Sequence, residues 1–429
     1  MPKRPSLSFI FWFLFILLFI GFFLFIPDEA HRGDIGFWKQ WTKFILVEGF
    51  PHIYDYGTSI PTAFPCNYPP VILYFFKIYG MIVPDMDFLA KEDKYFKVIP
   101  LIFDFISVGA IFLLVKRTVK NSFLPLLLLL SPAFMYNSYL WGQMDSILTA
   151  FVALSLIFAL RKKWMLAIIF FIIALNTKMQ AIVFFPVLVL SILPLINSWK
   201  KLGIAILTAA VVQTIILLPF ILHGTLGSWY QVMTSLVDQY TNVSLNAFNI
   251  WHLFLPGEIP LITKDYQAFW FGMTYKNWGL LFFFVFSFIA LLPLFLKSLH
   301  YSIQQTDLDQ NFKKLVFLSA FLCVLSFFFF NTQMHERYSH PAMLMAFLYG
   351  ILSRNYWLYA ITSIAYFLNL ERTLRFFDLS YGTFIFLKPF IASLFLLALG
   401  IGIWQLYQKY PLGRDWRFIY NVVVRGHRE

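Results

Sequence analysis

The chain has 429 residues, of which 60% are hydrophobic, 21% aromatic and only 13% charged, and its formal net charge is +12. Soluble domains carry roughly 25% charged residues, so the composition excludes an ordinary soluble enzyme and marks an all-α, polytopic membrane protein. The positive charge does not signal a nucleic-acid partner, because Lys and Arg stand in short groups between apolar runs, the arrangement that orients membrane proteins; two cysteines, Cys66 and Cys323, are too few for a disulfide framework.

A spanning helix needs about 20 apolar residues, and that rule picks out runs near 8–26, 98–115, 122–140, 144–160, 164–177, 180–197, 202–221, 278–296, 315–331, 340–353, 356–370 and 383–407. About twelve transmembrane helices are predicted, in one membrane domain over 1–429. The first run follows Met-Pro-Lys-Arg and has no small-residue cleavage site after it, so it reads as a retained anchor. Lys3, Arg4, Lys116, Arg117, Lys120, Arg161 to Lys163, Lys200, Lys201, Lys313, Lys314 and the basic tail at 408–429 fall on one side. That side is predicted to be cytosolic, with both termini. The other side carries a long loop at 27–97 and a second at 222–276, lengths that point to function. Nothing in the second half echoes the first, whereas transporters are often built from repeats. This favours a membrane enzyme working at one interface, with a transporter or flippase for a lipid-linked or anionic substrate as the alternative.

Within the first loop, Phe37 to Phe44 puts Trp38, Trp41 and Phe44 on one side and Lys39, Gln40 and Lys43 on the other. The pattern predicts an amphipathic helix lying in the interface with its aromatic face in lipid. PPVILYFFKIYGMIV, with Lys77 in its middle, reads as a second interfacial helix whose entry is set by Pro69 and Pro70. Seven polar clusters then interrupt apolar sequence, each at the non-cytosolic end of a span: HRGDIGFWKQW at 31–41, CNYPP at 66–70, YLWGQMDS at 139–146, NTKMQ at 176–180, NAFNIW at 246–251, HERYSH at 335–340 and ERTLRFFD at 371–378. One charge near the bilayer centre costs about 2.5–3.5 kcal/mol. A single cluster reads as a solvated helix end, but seven on one face point to a site.

Gly33-Asp34, Tyr68-Pro69-Pro70, Asp104 in KVIPLIFDF, NSYLWGQMDS, NTKMQAIVFFP and His335-Glu336-Arg337 follow one another in an order that resembles the GT-C membrane glycosyltransferases. The resemblance is strongest to the dolichyl-phosphate-glucose-dependent alpha-1,3-glucosyltransferases and their bacterial relatives. It implies a GT-C fold and an inverting, metal-independent hexosyltransferase without a cofactor. Such an enzyme moves glucose or mannose from a polyprenyl-phosphate-linked donor to a hydroxyl of a lipid-linked or envelope glycan, with membrane lipid as the surrounding partner. The family's base maps to Asp34, a carboxylate able to take the acceptor's proton. The departing phosphate calls for cations, and the matching positions supply His335, Arg337 and Lys178, with Arg372 and Arg375 behind them. Tyr68, Asp104, Gln143, Asp145, Gln180 and Glu336 are expected to position substrate, Glu336 by orienting Arg337; Asp104 and Asp145 can equally pair with Lys or Arg. Gln143 with Asp145, and arginine at 337 where eukaryotic glucosyltransferases usually carry lysine, resemble bacterial members. The implied location is a bacterial inner membrane with the site facing the periplasm or exterior, or the endoplasmic reticulum (ER) membrane in a eukaryote.

Three signals are set aside. Asp28 and Glu29 rival Asp34 as bases but precede the Gly33-Asp34 turn and read as a solvated helix end. Asn242-Val243-Ser244 matches a glycosylation acceptor too common to carry weight. HERYSH resembles the zinc motif His-Glu-x-x-His, but His340 lies five positions after His335, about 140° around a helix from it. A protein O-mannosyltransferase is the last alternative; those enzymes place paired acidic residues in the first loop, whereas Ile35 follows Asp34.

Overall fold

The computed structural model describes residues 6–56, 65–116, 123–236, 239–424 and 426. Lys3, Arg4, Arg117 and Lys120, which the sidedness argument uses, lie outside them. The longer helices are α1 (Leu7–Leu24), α2 (Arg32–Val47), α3 (Pro70–Ile82), α4 (Val98–Val115), α5 (Asp145–Leu160), α6 (Trp164–Leu175), α7 (Phe185–Ile192) and α8 (Trp199–Leu222). They continue with α9 (Leu226–Ser235), α10 (Tyr275–Gln304), α11 (Gln310–Phe330), α12 (His340–Ser353), α13 (Trp357–Leu374), α14 (Lys388–Lys409) and α15 (Leu412–Val424). Two short strands, β1 (Ser244–Leu245) and β2 (Met334–His335), pair in parallel.

The all-α membrane architecture is the expected one, but the twelve apolar runs do not become twelve full-length helices. Among the described residues six are long and apolar enough to cross a membrane: α1, the helical segment Lys94–Val115, α8, α10, α11 and α14. The run at 122–140 breaks into short pieces, Leu126–Leu129, Pro132–Met135 and a π-helical turn at Tyr136–Trp141. Pro125 and Pro132 lack the N–H that a continuous helix needs. The run at 164–177 yields 12 residues of helix, about 18 Å against a hydrocarbon core of about 30 Å. Phe9, Phe13, Ile16, Leu17 and Leu24 on α1 are exposed, an apolar surface suited to acyl chains rather than water.

Cα packing groups the chain into two compact units, one of 1–151, 169–181 and 207–239, the other of 152–168, 182–206 and 240–429. In the first unit α2 packs on α3. The aromatic face of α2 is real, but Trp38 and Trp41 are buried with Ile35, Ile45 and Phe76, so they face protein and not lipid. Apolar periodicity is the same signal for either neighbour. Cys66 lies in this core, where burial pushes its thiol up to about 12 and removes it as a nucleophile at neutral pH.

In the second unit α11 is almost wholly buried against α10, α12 and α14. Gly279 of α10 lies against the end of α11, where a Cβ would stand 2.8 Å from the Phe330 carbonyl oxygen; only glycine permits that approach. The NAFNIW segment proves to be structural. Asn369 accepts from the Phe248 N–H at 3.0 Å and donates to the Asn246 carbonyl at 2.7 Å, and Asn249 donates to the carbonyls of Phe328 and Asn331, both at 3.2 Å. These amides satisfy main-chain groups that would otherwise be buried unpaired.

His252, directly after this segment, is buried with neither ring nitrogen hydrogen-bonded. Burial, and secondarily the Lys388 charge, push it down to about 3. An unfolded histidine titrates near about 6.5, so below that pH the unfolded chain binds more protons and stability falls. Going from pH 7 to pH 5 is expected to cost about 2 kcal/mol through this group. His252→Phe should remove that part of the pH dependence, and equal shifts of the unfolding midpoint in both proteins would show that His252 is not its source.

Candidate active site

In the first unit, Asp34 sits in the first turn of α2, where a helix N-terminus favours a carboxylate. His31 Nδ1 lies 3.3 Å from the Asp34 N–H and 2.9 Å from Asp34 Oδ2. His31 thus caps the helix, its Nδ1 accepting from the Asp34 N–H. Two donors to the Asp34 carboxylate come from the π-helical turn. Its end is set by Gly142 at φ +88°, and the Gln143 N–H donates to the Asn137 carbonyl at 2.8 Å. A Cβ at Gly142 would stand 3.2 Å from Lys97 Cγ and 3.3 Å from Ile35 Cδ1, so conformation and space both call for glycine. The turn brings Trp141 Nε1 to 3.4 Å from Asp34 Oδ2 and places the Gln143 amide as a donor to the same oxygen. The Asp34 side chain keeps 25% of its surface exposed while Gln143 has none, so a substrate can reach the carboxylate but not its support.

Lys97, which sequence reasoning missed, fastens this arrangement. Fully buried, it donates through Nζ to the carbonyls of Pro27 at 2.8 Å, Tyr139 at 3.3 Å and Glu29, tying the segment before α2 to the π-helical turn. The sequence hint, a lysine directly abutting an apolar run, is slight. Asp28 is 81% exposed and pairs with Lys94 at 2.9 Å. The lysine's hydrogen bond and charge hold its carboxyl below the usual range, the behaviour of a solvated helix end.

The other residues of this unit serve from inside. Asp104 is fully buried and accepts from the Ser138 hydroxyl, so its partner is a serine rather than a lysine or arginine, and direct contact with substrate gives way to an internal role. Gln143 likewise meets Asp34 rather than substrate. Lys178 and Asp145 form a buried ion pair at 2.5 Å. Tyr68 packs edge-on against Trp41 and accepts from the Tyr54 hydroxyl through its carbonyl at 2.9 Å. Gln180 is partly buried in the 3-10 turn Met179–Phe184.

In the second unit the HERYSH segment starts as strand, not helix, so its histidines are not presented as a helical zinc motif would present them. Gln333, at φ +61°, donates to Asp265 Oδ2 at 2.7 Å, and Thr332 donates to the same oxygen at 2.8 Å. Asp265, also missed by the sequence reading, thereby sets the turn that delivers β2 to β1. The His335 ring then lies between Tyr240 and Tyr338, at 5.2 and 5.1 Å. Glu336 is 2% exposed and accepts from Arg337 Nη1 at 2.9 Å, with His335 Nδ1 4.0 Å away. The arginine also stacks over Tyr338 at 5.8 Å. The buried Glu336 carboxylate is thus the partner of Arg337. In ERTLRFFD, buried Glu371 accepts from the Phe377 N–H at 3.0 Å and the Tyr381 hydroxyl at 2.5 Å. Arg372 and Arg375 stack over the Tyr381 ring at 5.8 and 5.2 Å. Each arginine group is held by a buried carboxylate, directly or through a tyrosine, which fixes the orientation of its planar fork.

Residues 52–254 match the family model of the ALG3 protein, a family of ER-membrane mannosyltransferases in the GT-C superfamily. Comparison with curated proteins gave no match. The matched stretch is a little under half of the chain and includes Tyr68, Asp104, Gln143, Asp145, Lys178 and Gln180. It supports a membrane glycosyltransferase that uses a lipid-linked sugar donor. Asp34 and the His335–Arg337 motif lie outside the match.

Proposed function

We propose that this protein transfers a hexose from a polyprenyl-phosphate-linked donor to a hydroxyl of a lipid-linked glycan, with inversion at the anomeric carbon. Mannose is the first reading and glucose the alternative, since the family match favours a mannosyltransferase; the same match favours the ER membrane, and nothing in it supports a bacterial inner membrane. The observation that carries the reading is Asp34, reachable from solvent while Trp141 and Gln143 both donate to its Oδ2. In the proposed reaction Asp34 removes the acceptor's hydroxyl proton as that oxygen bonds to the anomeric carbon. The bond from that carbon to the phosphate oxygen breaks, and the polyprenyl phosphate leaves as an anion. Arg337 and His335, with Arg372 and Arg375, are proposed to hold this phosphate, because pre-placed cations stabilise charge as it develops. Lys178 can join them only if its pairing with Asp145 opens.

The deciding experiment incubates the purified protein with labelled polyprenyl-phosphate-mannose and, separately, polyprenyl-phosphate-glucose, with a membrane extract as acceptor source. A labelled lipid-linked product from mannose is expected. Product from glucose alone would move the assignment to the glucosyltransferases, and product from neither would overturn it. For Arg337→Ala, affinity for polyprenyl phosphate is expected to fall about ten- to a hundredfold, the range for hydrogen bonds to charged groups. Unchanged binding would remove Arg337 from the phosphate site.

A further inference from the structure

The carboxyl-terminal helix α15 has three distinct faces. Asp415, Phe418 and Ile419 turn inward: Asp415 Oδ1 lies 2.5 Å from His300 Nδ1 and 3.4 Å from Lys297 Nζ, and Phe418 stacks on the His300 ring at 4.1 Å. A second face is apolar yet exposed, with Trp416 at 58%, Tyr420 at 42% and Val423 at 68%. The third carries Arg414, Arg417 and Asn421, about 120° around the helix from the apolar face. Between this third face and the end of α10 is a cavity of ≈ 560 Å³ lined by Arg414, Arg417, Asn421, His300 and Gln304. Both arginines are exposed, and neither is ion-paired among the described residues. Asp415, the acidic group nearest to them in the helix, already faces His300 and Lys297 and does not oppose an incoming anion.

We propose that α15 lies in the membrane plane and that Arg414 and Arg417, with Gln304 and Asn421, bind the phosphate headgroup of an anionic lipid. Arginine forks match phosphate oxygens bidentately, and the cavity falls within the range of about 300–1,000 Å³ typical of small-molecule sites. The neighbouring apolar face decides for a lipid over a soluble phosphate ester, because Trp416, Tyr420 and Val423 give acyl chains a surface next to the charges, the pattern of an interfacial helix. The pocket is at the far end of α10 from Tyr275, which packs with Val243 and Trp251 in the loop region that carries β1. The 30 residues of α10 separate those ends by about 45 Å, so this site is distinct from the sugar-transfer residues of the same unit and does not depend on their assignment.

The test uses the full-length protein in detergent, with bound lipid counted by native mass spectrometry after exposure to dioleoyl phosphatidic acid or dioleoyl phosphatidylcholine, and glycerol 3-phosphate as soluble competitor. Wild type should retain phosphatidic acid in clear preference to phosphatidylcholine. The double substitution Arg414→Gln, Arg417→Gln should weaken that retention about twenty-fivefold, from roughly fivefold per arginine at an anionic surface, while sugar transfer is unchanged. Equal retention of both lipids by wild type, or undiminished phosphatidic acid on the double variant, would overturn the proposal. Displacement by equimolar glycerol 3-phosphate would overturn the lipid and assign the pocket to a soluble phosphate ester.

Discussion

Asp34→Asn is expected to lower the single-turnover rate of sugar transfer by about 10²–10⁴-fold, the span that general-base catalysis supplies, with donor binding nearly unchanged. Asparagine has the shape of aspartate, and an amide oxygen in the place of Oδ2 still accepts from Gln143 and Trp141. The substitution removes the ability to take a proton and the partner of His31, but leaves the π-helical turn and its Gly142 end intact. Asp34→Glu provides the second arm: it keeps the base but moves it by about one methylene, and a misplacement of about 1 Å can cost about 10²-fold. Transfer by Asp34→Glu should therefore exceed that of Asp34→Asn yet stay far below wild type. Near wild-type turnover by Asp34→Asn at saturating donor would end the base assignment. Loss of donor binding would instead make Asp34 a residue that positions the donor.

How far the sequence announces this site depends on which physical signal each residue carries. The α2 helix and the place of Asp34 in its first turn are readable, because aromatic and polar residues alternate at the helical period. What that helix packs against is not, since an apolar face looks the same whether lipid or protein covers it, and Trp38 and Trp41 proved to face protein. The hydropathy rule counted 122–140 as a span because it weighs apolar content and does not register that Pro125 and Pro132 interrupt hydrogen bonding. The π-helical turn that aims Trp141 and Gln143 at Asp34 arises from that interruption and from Gly142. Lys97, Asp265 and Asn369 escaped notice for one shared reason: each is buried to satisfy groups from distant parts of the chain, and such partnerships exist only after folding. The polar clusters at 335–340 and 371–378 were legible as clusters, but the burial of Glu336 and Glu371 beside their arginines was not, because burial is settled by the packing of distant segments. The family match, over a little under half of the chain, is to a mannosyltransferase family and leaves the choice of sugar, which motif order did not distinguish either, to experiment.

Lys178 offers the sharpest separation of a structural cation from a substrate-binding one. Its side chain is 10% exposed and that of Asp145 is 2% exposed, with 2.5 Å between charges. Removing one member of such a pair leaves the other buried without its counter-charge, so Lys178→Met is expected to destabilise the protein by about 3–5 kcal/mol, whereas replacing both members with apolar residues of similar volume is often close to neutral. The double variant Asp145→Leu, Lys178→Met should recover most of the lost stability. Lys178→Met should also be milder than Asp145→Leu, because Asp145 sits in the first turn of α5, where the helix N-terminus favours a carboxylate by about 0.3–1 kcal/mol. Unfolding midpoints in detergent give this comparison directly, and equal stability of both single variants and wild type would show that the pair contributes nothing. Donor binding by the double variant then answers the functional question. If the lysine spends its charge on Asp145, a stable double variant binds polyprenyl phosphate as wild type does. If instead Lys178 turns to the phosphate during the reaction, the same stable variant loses donor affinity, and the four cations assigned to the phosphate become five.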